Sequence, residues 1–344
     1  MAFRILLVGL GNRGKQWAGI VESHPDVVLA AAVDPSPAAR ALFAERFPGV
    51  AMLEDLDHAL AEVACDAVLL VTPPDGHLAQ ARSVFAAGKP LLCEKPVATG
   101  LAQALRIIEL SEQARLPLSI GLNFRYLPVS MALRDLVARK AYGEPGFGNF
   151  VYQRNRDGMR PGLNKYPLAM RHPMMLEQSI HHLDLIRFCY GREATHVACR
   201  TWNPGWSMYA HDANVSCLLT LEGGMEVVYL GTWTGGWNEL RFEWRTDCAG
   251  GAIVQRELFS DLAAARTGET ALAPIALPEA RAFIDDSAAL LSAFVAAVRG
   301  GDAPPCGGRD HLRSLALCFA AIESAETGQR VDVRAFEARH GLAA

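Results

Sequence analysis

The chain has no block of lysine and arginine, no apolar run approaching the roughly 20 residues of a membrane span, no C-x-x-C pair and no H-E-x-x-H. Each absence removes a class of function. With 33 Lys and Arg against 37 Asp and Glu, a formal charge of -4 and a pI near 6.2, there is no basic field to attract nucleic acid or an anionic membrane. The eight cysteines (Cys65, Cys93, Cys189, Cys199, Cys217, Cys248, Cys306 and Cys318) are scattered. That pattern argues against zinc or redox chemistry and for buried free thiols, so no metal is expected. Met1 to Val8 runs straight into a glycine turn with no cleavage-type spacer, so a cytoplasmic protein is expected.

What is present is a chain of 344 residues, 51% hydrophobic and 20% charged, long enough for two cores. Up to about residue 123, short apolar runs (4–8, 28–33, 67–72, 90–93 and 118–122) alternate with helical patterns at 13–23, 37–47, 77–87 and 101–115. This is the signature of parallel strands joined by crossover helices. Thr99 is the expected N-cap of the last helix, and Pro117 closes it. Beyond about residue 145 the pattern turns β-rich, with strands expected at 148–156, 196–201, 215–221, 225–234 and 239–246. Glu222-Gly223-Gly224 marks a hairpin and hence an antiparallel sheet. Helices are expected at 173–190, 285–299 and 310–327. The reading is a doubly wound α/β domain over 1–123 followed by an α+β domain over 124–344.

The first expected strand leads into Gly9-Leu10-Gly11-Asn12-Arg13-Gly14, which opens the first helix, and Asp34 ends the second strand twenty residues after Gly14. In that context G-x-G-x-x-G is a dinucleotide signature: Gly9 for the tight turn, Gly11 for approach of the pyrophosphate, Gly14 for close helix packing. An aspartate at position 34 would accept from the adenosine ribose hydroxyls and repel a 2′-phosphate, which favours NAD over NADP. Arg40, six residues on, could reach a phosphate or simply be a solvated helix residue. Thr72-Pro73-Pro74 follows another strand and is expected to line the cofactor groove.

Glu94-Lys95-Pro96 follows the run Pro90 to Cys93, which puts Lys95 at a strand's carboxyl end, where such sheets bind ligands. Oxidation of an alcohol requires a base for its proton. A free lysine, with pKa about 10.4, is a poor one at neutral pH. Lys95 therefore either becomes less basic through burial and neighbouring positive charge or stays charged and stabilises a developing alkoxide. A second constellation is Glu177-Gln178-Ser179-Ile180-His181-His182-Leu183-Asp184. On an α-helix Glu177, His181 and Asp184 would share one face, giving a histidine base tuned by carboxylates.

These residues resemble the glucose-fructose oxidoreductase, inositol 2-dehydrogenase and rhizopine-catabolism (Gfo/Idh/MocA) family. The matching features are the glycine turn, Asp34, Thr72-Pro73-Pro74 with His77, Glu94-Lys95-Pro96, Asn123-Phe124-Arg125-Tyr126, Glu177 to Asp184, and Ser324 to Gly328. The resemblance implies a Rossmann domain binding cofactor through Gly9, Gly11, Asn12, Arg13, Gly14, Asp34, Thr72, Pro73, His77, Glu94 and Lys95. It also implies a C-terminal open, largely antiparallel sheet and a homodimer or homotetramer. By the same resemblance Lys95, His181 and Glu177 work at the reacting hydroxyl, with His181 as base, Lys95 as alkoxide stabiliser and Glu177 as orienter. Glu177 stands where inositol dehydrogenase-like members have aspartate.

Two loops mix polar groups with aromatic platforms in the way sugars require. Arg154, Arg156, Asp157, Asn164, Lys165 and Tyr166 belong to one, and Trp202 to Asp212 form the other. The expected substrate contacts are Arg156, Lys165, Tyr166, Trp206, Tyr209 and His182. For Trp202, Trp233, Trp237 and Trp244, core or oligomer interface is expected. The expected activity is NAD-dependent hydride transfer involving a secondary hydroxyl or ketone of a sugar, glycoside or cyclitol. Two alternatives stay open: a glycosidase that oxidises, eliminates and re-reduces with NAD recycled, and a non-catalytic NAD-binding regulator.

Overall fold

The computed structural model describes residues 2–159, 163, 165–303 and 306–342. It falls into two compact units, Met1–Asn123 with Arg281–Leu312, and Phe124–Ala280 with Arg313–Ala344. This corrects the expectation of a single boundary at 123, because residues 281–312 belong with the first unit.

The first unit alternates β1 (Phe3–Val8), α1 (Asn12–Glu22), β2 (Val27–Val33), α2 (Pro37–Arg46), β3 (Met52–Leu53), α3 (Leu56–Glu62), β4 (Ala67–Leu70), α4 (His77–Ala86), β5 (Leu91–Cys93), α5 (Leu101–Ala114) and β6 (Leu118–Ile120). All six strands pair in parallel in the order β3-β2-β1-β4-β5-β6. Strand order reverses between β1 and β4, the crevice where doubly wound sheets bind ligands. β4 and β5 are buried along their whole length, as strands covered on both faces must be. Local caps set the helix starts: Ser36 Oγ accepts from Ala39 N–H at 3.2 Å with Pro37 in the first turn, and Asp55 accepts from His58 N–H at 2.8 Å. Thr99 does not cap α5. Gly100 holds that position, and the Thr99 hydroxyl donates to Asp75 at 3.2 Å instead.

In the second unit come α6 (Pro128–Ala138), β7 (Pro145–Gln153), a short helix α7 (Tyr166–Ala169), a π-helical turn (Met174–Ser179) and α8 (Ile180–Tyr190). Strands β8 (Ala194–Trp202), β9 (Asn214–Leu221), β10 (Glu226–Thr232), β11 (Arg241–Cys248), β12 (Gly251–Glu257), β13 (Ser260–Arg266) and β14 (Ala273–Ile275) follow. The chain continues through α9 (Asp285–Val298), α10 (Gly308–Thr327), β15 (Val331–Asp332) and α11 (Val333–Arg339). The second sheet has nine strands in the order β14-β13-β12-β11-β7-β10-β9-β8-β15, antiparallel except for β7 with β10. The predicted hairpin joins β9 to β10, with Gly223 and Gly224 both at φ +79° in its turn. Inward residues alternate with outward ones along β9, so Val215, Cys217, Leu219 and Leu221 are buried while Leu218 is 48% exposed.

Among the described residues no helix is long and apolar enough to cross a membrane. Seven of the eight cysteines are buried.

Candidate cofactor and substrate sites

In the first unit the glycine turn is dictated by sterics. Gly9 sits at φ +98°, and a Cβ there would lie 2.7 Å from the Val71 carbonyl oxygen. A Cβ on Gly14 would collide with the Gly9 carbonyl, so α1 can approach the turn only as glycine. At Gly11 a Cβ would meet nothing within 4 Å, and this residue heads α1 without any side-chain cap. The exposed backbone at Gly11 and Asn12 thus leaves an open approach to unsatisfied helix N–H groups, the cradle a pyrophosphate needs.

The Arg13 side chain turns back into the protein. Its Nε donates to Glu94 Oε1 at 2.6 Å, its Nη1 to Gln16 at 2.7 Å and its Nη2 to Ser287 Oγ at 3.3 Å. Trp17 Nε1–H donates to the same Glu94 oxygen at 2.7 Å, and the Lys95 backbone N–H reaches Glu94 Oε2 at 3.2 Å. Burial alone would raise the Glu94 carboxyl. The charges of Arg13 and Lys95 and the Trp17 and Arg13 hydrogen bonds outweigh it and hold the group below the ordinary carboxylate range. The buried Glu94 therefore ties the glycine turn to the lysine loop, where Lys95 is half-buried and the Lys95–Pro96 peptide is cis. Trp17 was not anticipated as part of the site, since nothing local marks a tryptophan on the buried face of α1 as a partner for residue 94.

Asp34 closes β2 with both carboxylate oxygens directed by backbone. Oδ2 accepts from Leu10 N–H and Oδ1 from Ser36 N–H, each at 2.9 Å. Each oxygen keeps a lone pair for a ribose hydroxyl. The Arg40 guanidinium is not simply solvated: it donates to the carbonyls of Asp34 at 2.6 Å and Pro35 at 3.1 Å and pairs with Glu54 at 3.3 Å. Thr72 donates to Gln80 at 2.7 Å, and Pro73 beside it is exposed. His77 does not face the groove. It is 1% exposed, with Nε2 2.9 Å from the Thr72 carbonyl and Nδ1 3.1 Å from that of Val97, and burial pushes its pKa down. Its part is to shape the Thr72 loop.

In the second unit the segment around His181 departs from a plain α-helix. Residues Met174–Ser179 form a π-turn, closed by Ile180 N–H donating to the Met175 carbonyl, before α8 begins. The wider turn changes the phase of Glu177 relative to His181 and Asp184, which keep ordinary α-helical spacing within α8. Asp184 faces the core, where Arg125 grips it in two hydrogen bonds of 2.7 and 2.6 Å. The His181 ring stacks on Phe124 with centroids 4.3 Å apart and planes 24° from parallel, and Glu177 is half-buried one turn before it. His182 is corrected as a substrate contact. It is 0% exposed, inside a cage of Phe150, Tyr152 and Tyr229, and burial lowers its pKa to about 3.

The two loops of the second unit do meet. Asp157 Oδ1 accepts from Met208 N–H at 2.9 Å, Ala210 N–H donates to the Leu168 carbonyl at 2.9 Å, and the Arg156 guanidinium lies 4.4 Å over the buried Trp233 ring. Tyr209 is drawn inward, 5% exposed, with its hydroxyl 3.3 Å from the Arg156 carbonyl, so it supports the loop rather than presenting a face to a ligand. Trp206 is 77% exposed, Lys165 is exposed and Tyr166 is half-buried, while Asn164 lies outside the described residues. Of the other tryptophans, Trp233 and Trp244 are core, whereas Trp202 and Trp237 are exposed. Among the described residues no three His, Cys, Asp or Glu side chains are placed to hold a metal ion.

A parallel sheet in dinucleotide order, a glycine cradle and a lysine anchored beside it define a nicotinamide-dinucleotide oxidoreductase. Residues 3–122 match the model of the oxidoreductase family with NAD-binding Rossmann fold, and residues 130–253 match the GFO/IDH/MocA C-terminal domain. The chain belongs to the Gfo/Idh/MocA family of oxidoreductases. It is 27% identical to the uncharacterized protein y4oX of Sinorhizobium fredii over 98% of this chain and 97% of that one. It is 25% identical to an inositol 2-dehydrogenase of Rhizobium meliloti over 97% of this chain and all of that one. A solved levoglucosan dehydrogenase in complex with NADH and levoglucosan superposes with a TM-score of 0.85 at 16% identity, covering 97% of this chain and 100% of that one.

Proposed function

We propose that this oxidoreductase is an NAD-dependent dehydrogenase or reductase acting on a secondary hydroxyl or ketone of a sugar, glycoside or cyclitol. The observation that carries the reading is the Glu94 tie, which fixes Lys95 next to the glycine cradle through Arg13 and Trp17. When bound, the cofactor supplies a nicotinamide ring that accepts or returns a hydride. The α1 N-terminus holds its pyrophosphate and Asp34 its ribose. Lys95 presents its ammonium to the substrate oxygen and stabilises negative charge there. His181 takes the hydroxyl proton, and Glu177 orients that ring. Arg156, Lys165, Tyr166 and Trp206 supply polar groups and one aromatic face for a ring with several hydroxyls.

The test is NADH formation against a panel of aldoses, glycosides and inositols. Net NADH with one of them supports the reading. Release of an aglycone without net NADH selects the recycling glycosidase, and tight NAD binding without turnover selects the regulator. Alanine at Trp206 should raise KM by about threefold or more and leave kcat within about twofold, since stacking on a non-reacting face helps ground and transition states alike. Equal loss in kcat would remove Trp206 from that role.

NAD is the proposed cofactor. Arg40 would have to surrender two backbone carbonyls to meet a 2′-phosphate, and the Asp34 carboxylate would repel one. Asp34→Ser is expected to lower the NAD-to-NADP ratio of kcat/KM by at least about tenfold, or 1.4 kcal/mol. Comparable efficiency of the unaltered enzyme with both cofactors would sink the assignment.

A homodimer or homotetramer is part of the same reading. Val228 and Leu218, 38% and 48% exposed, lie directly opposite each other on the outer face of the second sheet. Sedimentation showing a monomer at micromolar concentration would refute it.

A further inference from the structure

Beneath His181 runs a chain of buried hydrogen bonds whose direction is fixed by chemistry. The Tyr152 hydroxyl donates to Gln178 Oε1 at 3.3 Å, and Gln178 Nε2 lies 3.1 Å from His182 Nε2. An amide nitrogen can only donate, so His182 Nε2 accepts and its proton sits on Nδ1. That N–H points at the Tyr229 hydroxyl 2.9 Å away, and Tyr229 in turn donates to Ser179 Oγ at 2.8 Å. All five residues are buried. Two of them, Gln178 and Ser179, are the last residues of the π-turn, and Tyr152 and Tyr229 stand on the neighbouring strands β7 and β10. Gly231, two residues along β10, clears the space: a Cβ there would collide with the Tyr229 hydroxyl and the Met174 methyl.

A π-turn is an uncommon geometry and needs an external reason to persist inside a helical segment. We propose that the chain Tyr152–Gln178–His182–Tyr229–Ser179 is a positioning device that holds this turn open and thereby fixes Glu177 and the His181 ring for proton transfer. The inference rests on the dehydrogenase reading for the role of His181, but not for the geometry. Ile180, which opens α8, hydrogen-bonds back into the turn, so the rotation of α8 about its axis follows the turn. Were Met174–Ser179 to relax to α-geometry, every α8 side chain would shift phase, and His181 would leave the face of Phe124. Tyr229 and Gln178 are positioning residues here, acting through His181 without touching a substrate.

The experiment uses the full chain with isotope-labelled histidine. In the unaltered protein the His182 Nδ1–H proton should exchange slowly, and the His181 ring protons should carry an upfield shift from Phe124 at 4.3 Å. Tyr229→Phe keeps the ring but removes the acceptor of His182 and the donor to Ser179. It is expected to abolish the protected His182 signal, move the His181 ring protons away from their upfield position, and lower kcat about tenfold with unchanged NADH binding, because small misplacements of a reacting group cost that much. The turnover probe is NAD+ with myo-inositol or whichever sugar of the panel is oxidised fastest. Ser179→Ala, which leaves the core volume nearly intact, should act in the same direction more weakly and serves if Tyr229→Phe fails to fold. His181 resonances that stay put in a folded variant whose His182 signal is lost overturn the proposal, as does kcat within twofold of the unaltered enzyme. If His181 moves but no sugar or inositol yields NADH, the positioning device stands and the dehydrogenase reading falls.

Discussion

Lys95→Ala is expected to lower kcat at least about a hundredfold, the scale that a positioned charge-stabilising group contributes, while NADH binding measured by fluorescence changes little. The two readouts separate because the lysine's backbone and its ammonium do different things. The backbone N–H is held by Glu94, and Glu94 is held by Arg13 and Trp17, so the loop keeps its place when the side chain is shortened. Lys95 is half-buried between the buried Glu94 and Pro96, so truncation opens no large internal cavity. What disappears is the positive charge at the carboxyl end of β5. Glu94→Gln makes the complementary test, since it retains the side-chain shape while weakening the grip of Arg13. It should cost less than Lys95→Ala and should move kcat more than cofactor affinity. Near-native turnover in Lys95→Ala would remove the lysine from the mechanism.

The cofactor cradle was legible in the sequence because each of its requirements is local. Gly9, Gly11 and Gly14 are dictated by backbone sterics within six residues, and Asp34 follows at the end of the adjacent strand. The tie that makes the cradle more than a turn was not legible, since Glu94 meets Arg13 and Trp17 across 81 and 77 residues and only the β1-β4-β5 strand order brings them together. The two histidines show the converse. A plain helical projection put Asp184 beside His181 and left His182 as a pocket residue. Burial by Phe150, Tyr152 and Tyr229 takes His182 out of the pocket, and the π-turn changes the phase of Glu177 relative to α8; that turn depends on Tyr152 and Tyr229, which no pattern local to Glu177–Asp184 announces. Tyr209 read as a pocket residue because its loop contains glycine, yet the loop folds it against Trp233 at 5.5 Å. Strand β13 escaped notice for a compositional reason. Ala263, Ala264 and Ala265 lack the branched or aromatic side chains that mark a strand, and the sheet recruits them through pairing with Ala252, Ile253 and Val254.

Arg125→Met is expected to destabilise the fold by about 3–5 kcal/mol, the cost of stranding one partner of a buried ion pair. Arg125 and Asp184 have side chains only 3% and 2% exposed, and their two hydrogen bonds are short. Ser314 Oγ donates to the same carboxylate at 2.6 Å, but Arg187, 3.8 Å away, is committed to Glu193 at 2.6 Å and is a weak substitute. Burial alone would raise the Asp184 carboxyl; the charge of Arg125 and its hydrogen bonds, followed by Arg187, outweigh it and hold the group below its ordinary value. A folded-state value below the unfolded one, which is about 3.9, means that this pair contributes stability above that pH and loses it as pH falls through the folded value. In Arg125→Met the balance reverses. Burial then dominates, the carboxyl rises above its unfolded value, and protonation relieves the variant. The difference in unfolding free energy between the two proteins should therefore be largest near pH 7 and narrow toward pH 4, as read from denaturant midpoints at each pH. The double variant Arg125→Met with Asp184→Leu should recover most of the loss, because an apolar pair of similar volume leaves no charge behind. A single-variant loss under about 1 kcal/mol, the range of an exposed pair, or a gap that does not narrow with acid, would show that Asp184 is paired chiefly through α8 and Ser314 rather than through Arg125.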